Sequence, residues 1–291
     1  MLGVLIIWGM GASLLITLRE GLEIALVLAI VTAYLVKSGR RPELRSVAVG
    51  SIIAAVLCIV AGIIVQMFTD GLVGKPEQAT EGGLALGSCA VLTWMIFWMR
   101  RNSRSLGGEL RAKVDAATTV QALTLLAFFA VAREGFETVL FLLGAETQAA
   151  SGSEVVIGGL IGLSVAAVLG WLVYVGGRHI NLGAFFKYTG ILMILFAAGL
   201  AGKAVHELRE LTGFESGWLI TSMWHLTSGP IATGTFNDFI EGLFGWSPDP
   251  ERIRVLAYMA YAIPVLWLYL KTTTPSAPAV AARPSAVTAG V

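Results

Sequence analysis

Two clusters of charged residues interrupt long apolar stretches of this chain. The stretches read LLITLREGLEIALVLAIV and LLAFFAVAREGFETVLFLLG, and both contain the pattern R-E-G-[LF]-E-x-x-L-x-L. The charged members are Arg19, Glu20 and Glu23 in the first stretch, and Arg133, Glu134 and Glu137 in the second. A ten-position match that includes three charges is poorly explained by chance. We therefore interpret the two stretches as copies of one functional motif.

The carboxylates of both clusters are spaced to approach a single ion. Glu20 and Glu23 lie three positions apart and so share one face of a helix, as do Glu134 and Glu137. A site of carboxylates without Cys or intramembrane His suits hard cations, with Fe³⁺, Mn²⁺, Mg²⁺ and Ca²⁺ as candidates. Four Glu and two Arg total −2. A divalent or a trivalent ion is therefore feasible, and charge does not select the oxidation state.

Arg19 and Arg133 directly precede the acids and point about 100° away around the helix. We expect them to support the site by neutralising carboxylates when no ion is bound. The alternative is a pair of buried Arg–Glu salt bridges that only lock helices together. Buried ion pairs are weak stabilisers, and two arginines leave two of the four glutamates without a partner. The pattern therefore favours a metal-binding role for the clusters.

The composition places both clusters inside a membrane. Hydrophobic residues make up 56% of the 291 positions and charged residues only 13%, against about 25% charged in soluble proteins. This composition excludes most soluble enzymes, and the net charge of +1 gives no sign of nucleic-acid binding. Each intramembrane charge costs about 2.5–3.5 kcal/mol at the bilayer centre, so a fold that keeps two such clusters is expected to use them.

The hydropathy pattern predicts an all-α polytopic membrane protein with seven transmembrane helices. A span needs about 20 mostly apolar residues, and seven segments qualify: 12–36, 47–68, 82–100, 119–144, 155–177, 184–206 and 253–271. Residues 1–271 then form one transmembrane domain with an outer interfacial loop at 207–252, and 272–291 form a disordered cytoplasmic tail. We interpret the first residues as a lead into the first helix, with a cleaved signal peptide as the alternative.

The loop charges predict an outside N-terminus and a cytoplasmic C-terminus. With this orientation the inner segments hold 13 basic residues and the outer segments hold five. The outer segments hold 12 of the acids, which concentrates cations near that surface. The cell membrane, in bacteria the inner one, is the expected location.

The positions of the two motif copies predict an inverted repeat. The second copy lies three helices further along the chain than the first, so the first and fourth helices run in opposite directions. Repeat one covers about 12–100, repeat two about 119–206, and the seventh helix is extra. Transporters built from such 3+3 repeats bind their substrates near the midplane at the repeat interface. Four carboxylates would meet there.

A second group of polar residues is predicted at the outer ends of the third and sixth helices. Its members are Glu81, His206, Glu207 and Glu210. The run His-Glu-Leu-Arg-Glu lacks the second His of the zinc-protease pattern, because Glu210 stands in that place. The group is a candidate outer capture point for cations, and the alternative is an ordinary solvated helix end.

The doubled R-E-G-x-E on the first and fourth of seven helices resembles the oxidase-dependent iron transporter family, the ferric iron permeases, and within it the short bacterial EfeU type. The resemblance covers about residues 12–271 and includes EGGLALGSCAVLTWMIFWMRR and AAGLAGKAVHELREL. It implies import of Fe³⁺ as a transported substrate, without a permanently bound cofactor. It also implies that the six motif residues form the permeation site. Implied partners are separate iron-oxidising haem peroxidase-like and cupredoxin-like iron-binding proteins outside the cell membrane, besides the membrane lipid.

Two other functions remain open from the sequence. One is an importer of another hard divalent cation such as Mn²⁺ or Ca²⁺. The other is a membrane-embedded enzyme that oxidises a metal at the paired carboxylates. An enzyme of that kind needs an electron path, and the sequence has neither an intramembrane haem-ligating His pair nor a CxxC motif. The sequence therefore favours a transporter, with iron oxidation left to a partner.

Overall fold

The computed structural model of this protein describes residues 11–69, 71–102, 112–117, 119–146, 152–175, 182–214 and 217–271. Within these ranges the regular secondary structure is helical, apart from one isolated β-bridge between Ser222 and Glu251. The long helices are α1 Gly11–Lys37, α2 Leu44–Thr69, α3 Lys75–Asn102, α4 Val120–Glu146, α5 Gly152–Val175 and α6 Leu182–Thr212. A short helix α7, Thr235–Phe244, and a last long helix α8, Arg252–Lys271, follow.

The predicted all-helical membrane architecture is confirmed in outline. In the described part of the chain, five helices are long and apolar enough to cross a membrane, and they correspond to α2, α3, α5, α6 and α8. Helices α1 and α4 have 27 residues each. They carry the two charged clusters, whose three charges per helix lower the apolar character of any window that contains them. Their membrane crossing, and with it the count of seven, stays a prediction.

The long helices pack in pairs through glycine. Helix α1 packs on α5, α2 on α4, α3 on α6, and α8 on α6. A Cβ added at Gly162 of α5 would lie 2.4 Å from the carbonyl oxygen of Leu14, and one added at Gly50 of α2 would lie 2.2 Å from that of Thr124. These approaches of backbone to backbone are possible only without a side chain, so small residues fix the α1–α5 and α2–α4 distances.

The main apolar core lies between α1, α3, α4 and α6. Ile16, Leu92, Phe141, Phe196 and Leu200 are fully buried within it. Helices α2 and α5 instead expose long rows of apolar side chains, as expected for surfaces that contact lipid. The helices that carry the two charged clusters are therefore shielded on several sides by protein.

The helix boundaries differ from the sequence prediction at the outer loop. Helix α6 continues to Thr212 instead of ending at 206, and an i,i+4 ion pair between Lys203 and Glu207 supports its last turns. The predicted loop 207–252 also contains α7, which begins after Gly234 and ends at Gly245 in the left-handed conformation. The first ten residues and the tail 272–291 lie outside the described residues.

A carboxylate site between two helices

Three of the four predicted carboxylates meet between α1 and α4. Glu20, Glu134 and Glu137 each offer an oxygen that lies within 4.8 Å of the other two, and all three residues are buried. We call these residues the carboxylate trio. Glu20 comes from the middle of α1, and Glu134 and Glu137 come from one face of α4. The sequence therefore identified the helices and residues that approach one another.

The two motif copies have nearly the same internal geometry. Arg19 Nε lies 3.3 Å from Glu23 Oε1, and Arg133 Nε lies 3.2 Å from Glu137 Oε1. In both copies the same Nε lies 3.9 Å from the glutamate that directly follows the arginine. The predicted supporting role of the arginines is thus compatible with their positions. Glu23 alone of the four glutamates lies outside the trio.

Several oxygens of the trio are free to accept a ligand bond. Within the described part of the chain, both oxygens of Glu20 and the Oε2 atoms of Glu134 and Glu137 are buried and have no hydrogen-bond partner. Buried polar atoms are normally paired, so unpaired ones require an explanation. Carboxylate oxygens are the ligands that hard cations prefer. A cation bound among the trio would complete the coordination of these oxygens.

Helix α3 contacts both arginines, which the sequence did not indicate. Arg19 Nη2 contacts Met95 Sδ, and the Arg133 guanidinium lies 4.2 Å from the centre of the Trp98 ring. Arg19 is almost wholly buried, whereas the Arg133 side chain is 36% exposed. A methionine and a tryptophan in an apolar helix look like ordinary packing residues, so no pattern distinguished them.

The four candidate outer residues lie together at one end of the bundle, but basic side chains already pair with their carboxylates. Lys203 Nζ lies 3.0 Å from Glu81 and 2.7 Å from Glu207. His206 lies 3.4 Å from Glu210. Capture of a metal ion would require Lys203 to be displaced. Lys203 was not predicted as a partner, although it lies one helical turn before Glu207. Its contact with Glu81 depends on how α6 packs against α3.

A second shared partner of this outer group is Glu251, at the start of α8. It lies 3.3 Å from His206 and 2.8 Å from Arg209. Arg209 also reaches Glu210 at 3.2 Å. The outer residues thus form a network that joins α3, α6 and the start of α8. Their role in cation capture stays a prediction.

The short helix α7 lies near the same end. Its Phe239 ring contacts Gly11 at the start of α1, and it also packs against α4 and α6. Asn237 is buried and its Nδ2 donates to Glu241 Oε2 at 3.3 Å. Burial raises the pKa of Glu241, partly countered by the positive charge of Arg254. Helix α7 therefore covers one end of the helices that carry the trio, at the same end of the bundle as this group.

Comparison with known proteins identifies the family. The model of the iron permease FTR1 family matches residues 10–273. The chain is 36% identical over 282 residues to the ferrous iron permease EfeU of Escherichia coli strain CFT073, covering 92% of this chain and 98% of that relative. It is 37% identical over 265 residues to the same-named protein of Escherichia coli O157:H7, covering 87% and 92%.

A relative outside Escherichia shows the same level of similarity. The chain is 36% identical over 263 residues to the ferrous iron permease EfeU of Yersinia pestis, covering 88% of this chain and 91% of that relative. No solved structure matches the chain. Since the family model spans nearly all of the described residues, this chain belongs to the iron permease FTR1 family, as the doubled motif had suggested. It is an integral membrane protein of the permease class and a transporter of iron.

Proposed function

We propose that this member of the iron permease family imports ferric iron through the carboxylate trio between α1 and α4. The observation that carries the proposal is the set of buried, unpaired oxygens on Glu20, Glu134 and Glu137, all within 4.8 Å of one another. Iron is the transported substrate, and Arg19 and Arg133 offset the charge of the carboxylates between transport events. Glu23 receives or releases the ion beside the trio.

The proposed architecture is an inverted 3+3 repeat with α8 as the extra helix. Helix pairing supports it, because exchanging α1–α3 with α4–α6 turns the α1–α5 pair into the α4–α2 pair. Equivalent close contacts also occur in both halves. The motif helices align at an offset of 114 positions, so 21 and 25 of α1 correspond to 135 and 139 of α4, and 58 and 62 of α2 correspond to 166 and 170 of α5 at an offset of 108. With this alignment the Gly21–Ala166 contact is equivalent to Gly135–Cys58, and Gly170–Ala25 is equivalent to Gly62–Val139. A two-fold relation would make the trio accessible from opposite sides in turn.

The oxidation state of the transported ion has two candidates. Oxygen-only ligands favour a hard ion, and Fe³⁺ is harder than Fe²⁺. The relatives from Escherichia coli and Yersinia pestis are, however, named ferrous iron permeases. We propose Fe³⁺ as the ion at the trio and Fe²⁺ as the second candidate. In the ferric case, a separate haem peroxidase-like protein and a cupredoxin-like iron-binding protein would oxidise and deliver the iron.

The proposed orientation places the N-terminus outside and the C-terminus in the cytoplasm, in the inner membrane of a bacterial cell. The network of Glu81, His206, Glu207 and Glu210 then faces outward, together with α7. Ions would first meet these acids, where local negative charge raises their concentration. They would then move between α1 and α4 to the trio.

Purified protein in liposomes with radiolabelled iron tests this proposal. Uptake is measured with iron held ferric by a weak chelator, and with iron held ferrous by a reductant that remains outside. We expect time-dependent accumulation of label that an ionophore or detergent releases, and a higher rate with ferric iron. Faster uptake of ferrous iron would select the second candidate. Conversion of Fe²⁺ to Fe³⁺ without accumulation of label would contradict transport and indicate an enzyme.

A further inference from the structure

Helix α3 contributes no carboxylate to the trio, yet it contacts both arginines of the doubled motif. Met95 and Trp98 lie three positions apart, so they occupy the same side of α3. Met95 accepts a hydrogen bond from Arg19 Nη2, and the Trp98 ring lies under the Arg133 guanidinium. Both partners are weak and uncharged: a thioether is a poor acceptor, and a ring attracts a cation only through its π face.

Each arginine gives a hydrogen bond to a glutamate through only one of its nitrogens. The hydrogen bond that each arginine gives to a glutamate comes from Nε, at 3.3 Å for Arg19 and 3.2 Å for Arg133. Beyond Nε, Arg19 Nη2 contacts Met95 and the face of the Arg133 guanidinium lies over the Trp98 ring, whereas in the described residues Arg19 Nη1 and Arg133 Nη2 are buried without a hydrogen-bond partner. An arginine that approaches a carboxylate without this constraint prefers two parallel N–H···O bonds. Such a bidentate bond would occupy both oxygens of Glu137, including the Oε2 atom that is now unpaired.

We propose that Met95 and Trp98 are positioning residues that hold the two arginines against α3, so that the oxygens of the trio remain available to the transported ion. The inference rests on the proposed function of the trio. The hold is weak by its chemistry, so an arginine can leave α3 when a carboxylate loses its ion and return when an ion arrives. The cost of this exchange stays small because the guanidinium moves between two nearby partners.

The two arginines differ in how strongly they depend on α3. Arg19 is enclosed, with its side chain 4% exposed, so its surroundings restrict movement even without Met95. The Arg133 side chain is 36% exposed and has room to turn. Substitution of Trp98 should therefore have the larger effect. Substitution of Met95 by Leu, which has a similar volume but no sulfur, should have a smaller effect of the same kind.

The test measures initial rates of iron uptake by purified protein in liposomes as a function of iron concentration. For Trp98→Leu we expect an apparent KM for iron that is about 2- to 30-fold higher, the range that corresponds to loss of a cation–π contact. The maximal rate should change less. Trp98→Phe, which keeps a π face, should recover part of the affinity. Trp94→Leu is the matched control, because Trp94 stacks on Trp98 at 6.1 Å and is exposed.

A second comparison separates positioning from packing. In an Arg133→Gln background, Trp98→Leu should leave the KM unchanged relative to Arg133→Gln alone, because no guanidinium remains to be held. An equal KM for Trp98→Leu and Trp94→Leu would overturn the inference. So would a rise in KM of the same size in the Arg133→Gln background, or a loss of protein amount with an unchanged KM. If wild-type protein and the Trp94→Leu control take up no iron, the proposed function itself fails.

Discussion

A methyl group added at Gly162 should displace α1 and impair transport. A Cβ at this position would lie 2.1 Å from Thr17 Oγ1, 2.4 Å from Leu14 O and 2.9 Å from Leu18 N. The Thr17 hydroxyl can rotate, but the two backbone atoms cannot move without the helix. Ordinary contact begins at 3.4 Å, so Leu14 O must withdraw by about 1 Å, the gap between 3.4 and 2.4 Å. Helix α1 would then shift near Glu20.

The expected magnitude follows from two opposing effects. Overpacking of a tight contact costs about 1–3 kcal/mol, and Ala is more favourable than Gly inside a helix by up to about 1 kcal/mol. The net loss of stability for Gly162→Ala should therefore be modest, about 0–2 kcal/mol. The loss of transport should be larger, because a displacement of about 1 Å in a reacting or binding group can cost about 100-fold.

The assay compares Gly162→Ala with Gly83→Ala. Gly83 lies in α3, and a Cβ at this position would meet nothing within 4 Å. Uptake of radiolabelled iron is divided by the amount of protein in the membrane. We expect uptake per molecule to fall at least about 10-fold for Gly162→Ala and to remain unchanged for Gly83→Ala. Equal uptake per molecule in both variants would refute the idea that the α1–α5 contact positions Glu20.

Three further predictions concern the outer residues, the orientation and pH. Four single variants of the outer group should raise the apparent KM for iron more than they lower the maximal rate: Glu81→Gln, His206→Ala, Glu207→Gln and Glu210→Gln. Unchanged KM values in all four would indicate an ordinary solvated helix end. A reporter fused after Lys271 should signal cytoplasm, and an external signal would reverse the orientation. The pKa of Glu241 is raised in the folded protein, so its ionisation opposes folding as pH rises above the usual Glu range. Glu241→Gln should therefore raise the melting temperature at neutral pH, and the gain should disappear below about pH 4.5. A constant difference across this range would contradict the burial of Glu241.

Much of the fold and part of the site could be predicted from the sequence for a physical reason. A long apolar run has few alternatives to a membrane helix, and a charged motif inside it is conspicuous. Each predicted span therefore corresponds to a helix, with most ends within three residues, although α3 begins seven residues earlier and α6 ends six residues later than predicted. The doubled motif pointed to four glutamates, and the i,i+3 spacing places Glu134 and Glu137 on one face of α4. Glu20 joins them from α1, whereas its i,i+3 neighbour Glu23 lies outside the trio.

The rest depends on neighbours that spacing within one helix does not specify. Trp98 of α3 contacts Arg133 of the neighbouring helix α4. Lys203 of α6 pairs with Glu207 on its own helix and with Glu81 on α3. Such contacts follow from how helices are rotated against each other, which the apolar composition of α3 leaves undetermined. Helix α7 was missed because its ten residues lie in a polar loop, although Gly234 and Gly245 are typical boundary signals.

The most direct test of the carboxylate trio is uptake per molecule in single Glu→Gln variants. Glutamine keeps the shape of the side chain but removes one negative charge and one acceptor oxygen, which a hard ion requires. For Glu20→Gln, Glu134→Gln and Glu137→Gln we expect normal amounts of protein in the membrane and loss of most iron uptake. A purely structural ion-pair cluster predicts the reverse, with less protein and unchanged uptake per molecule. Normal uptake per molecule in all three variants would contradict the assignment of the trio as the permeation site.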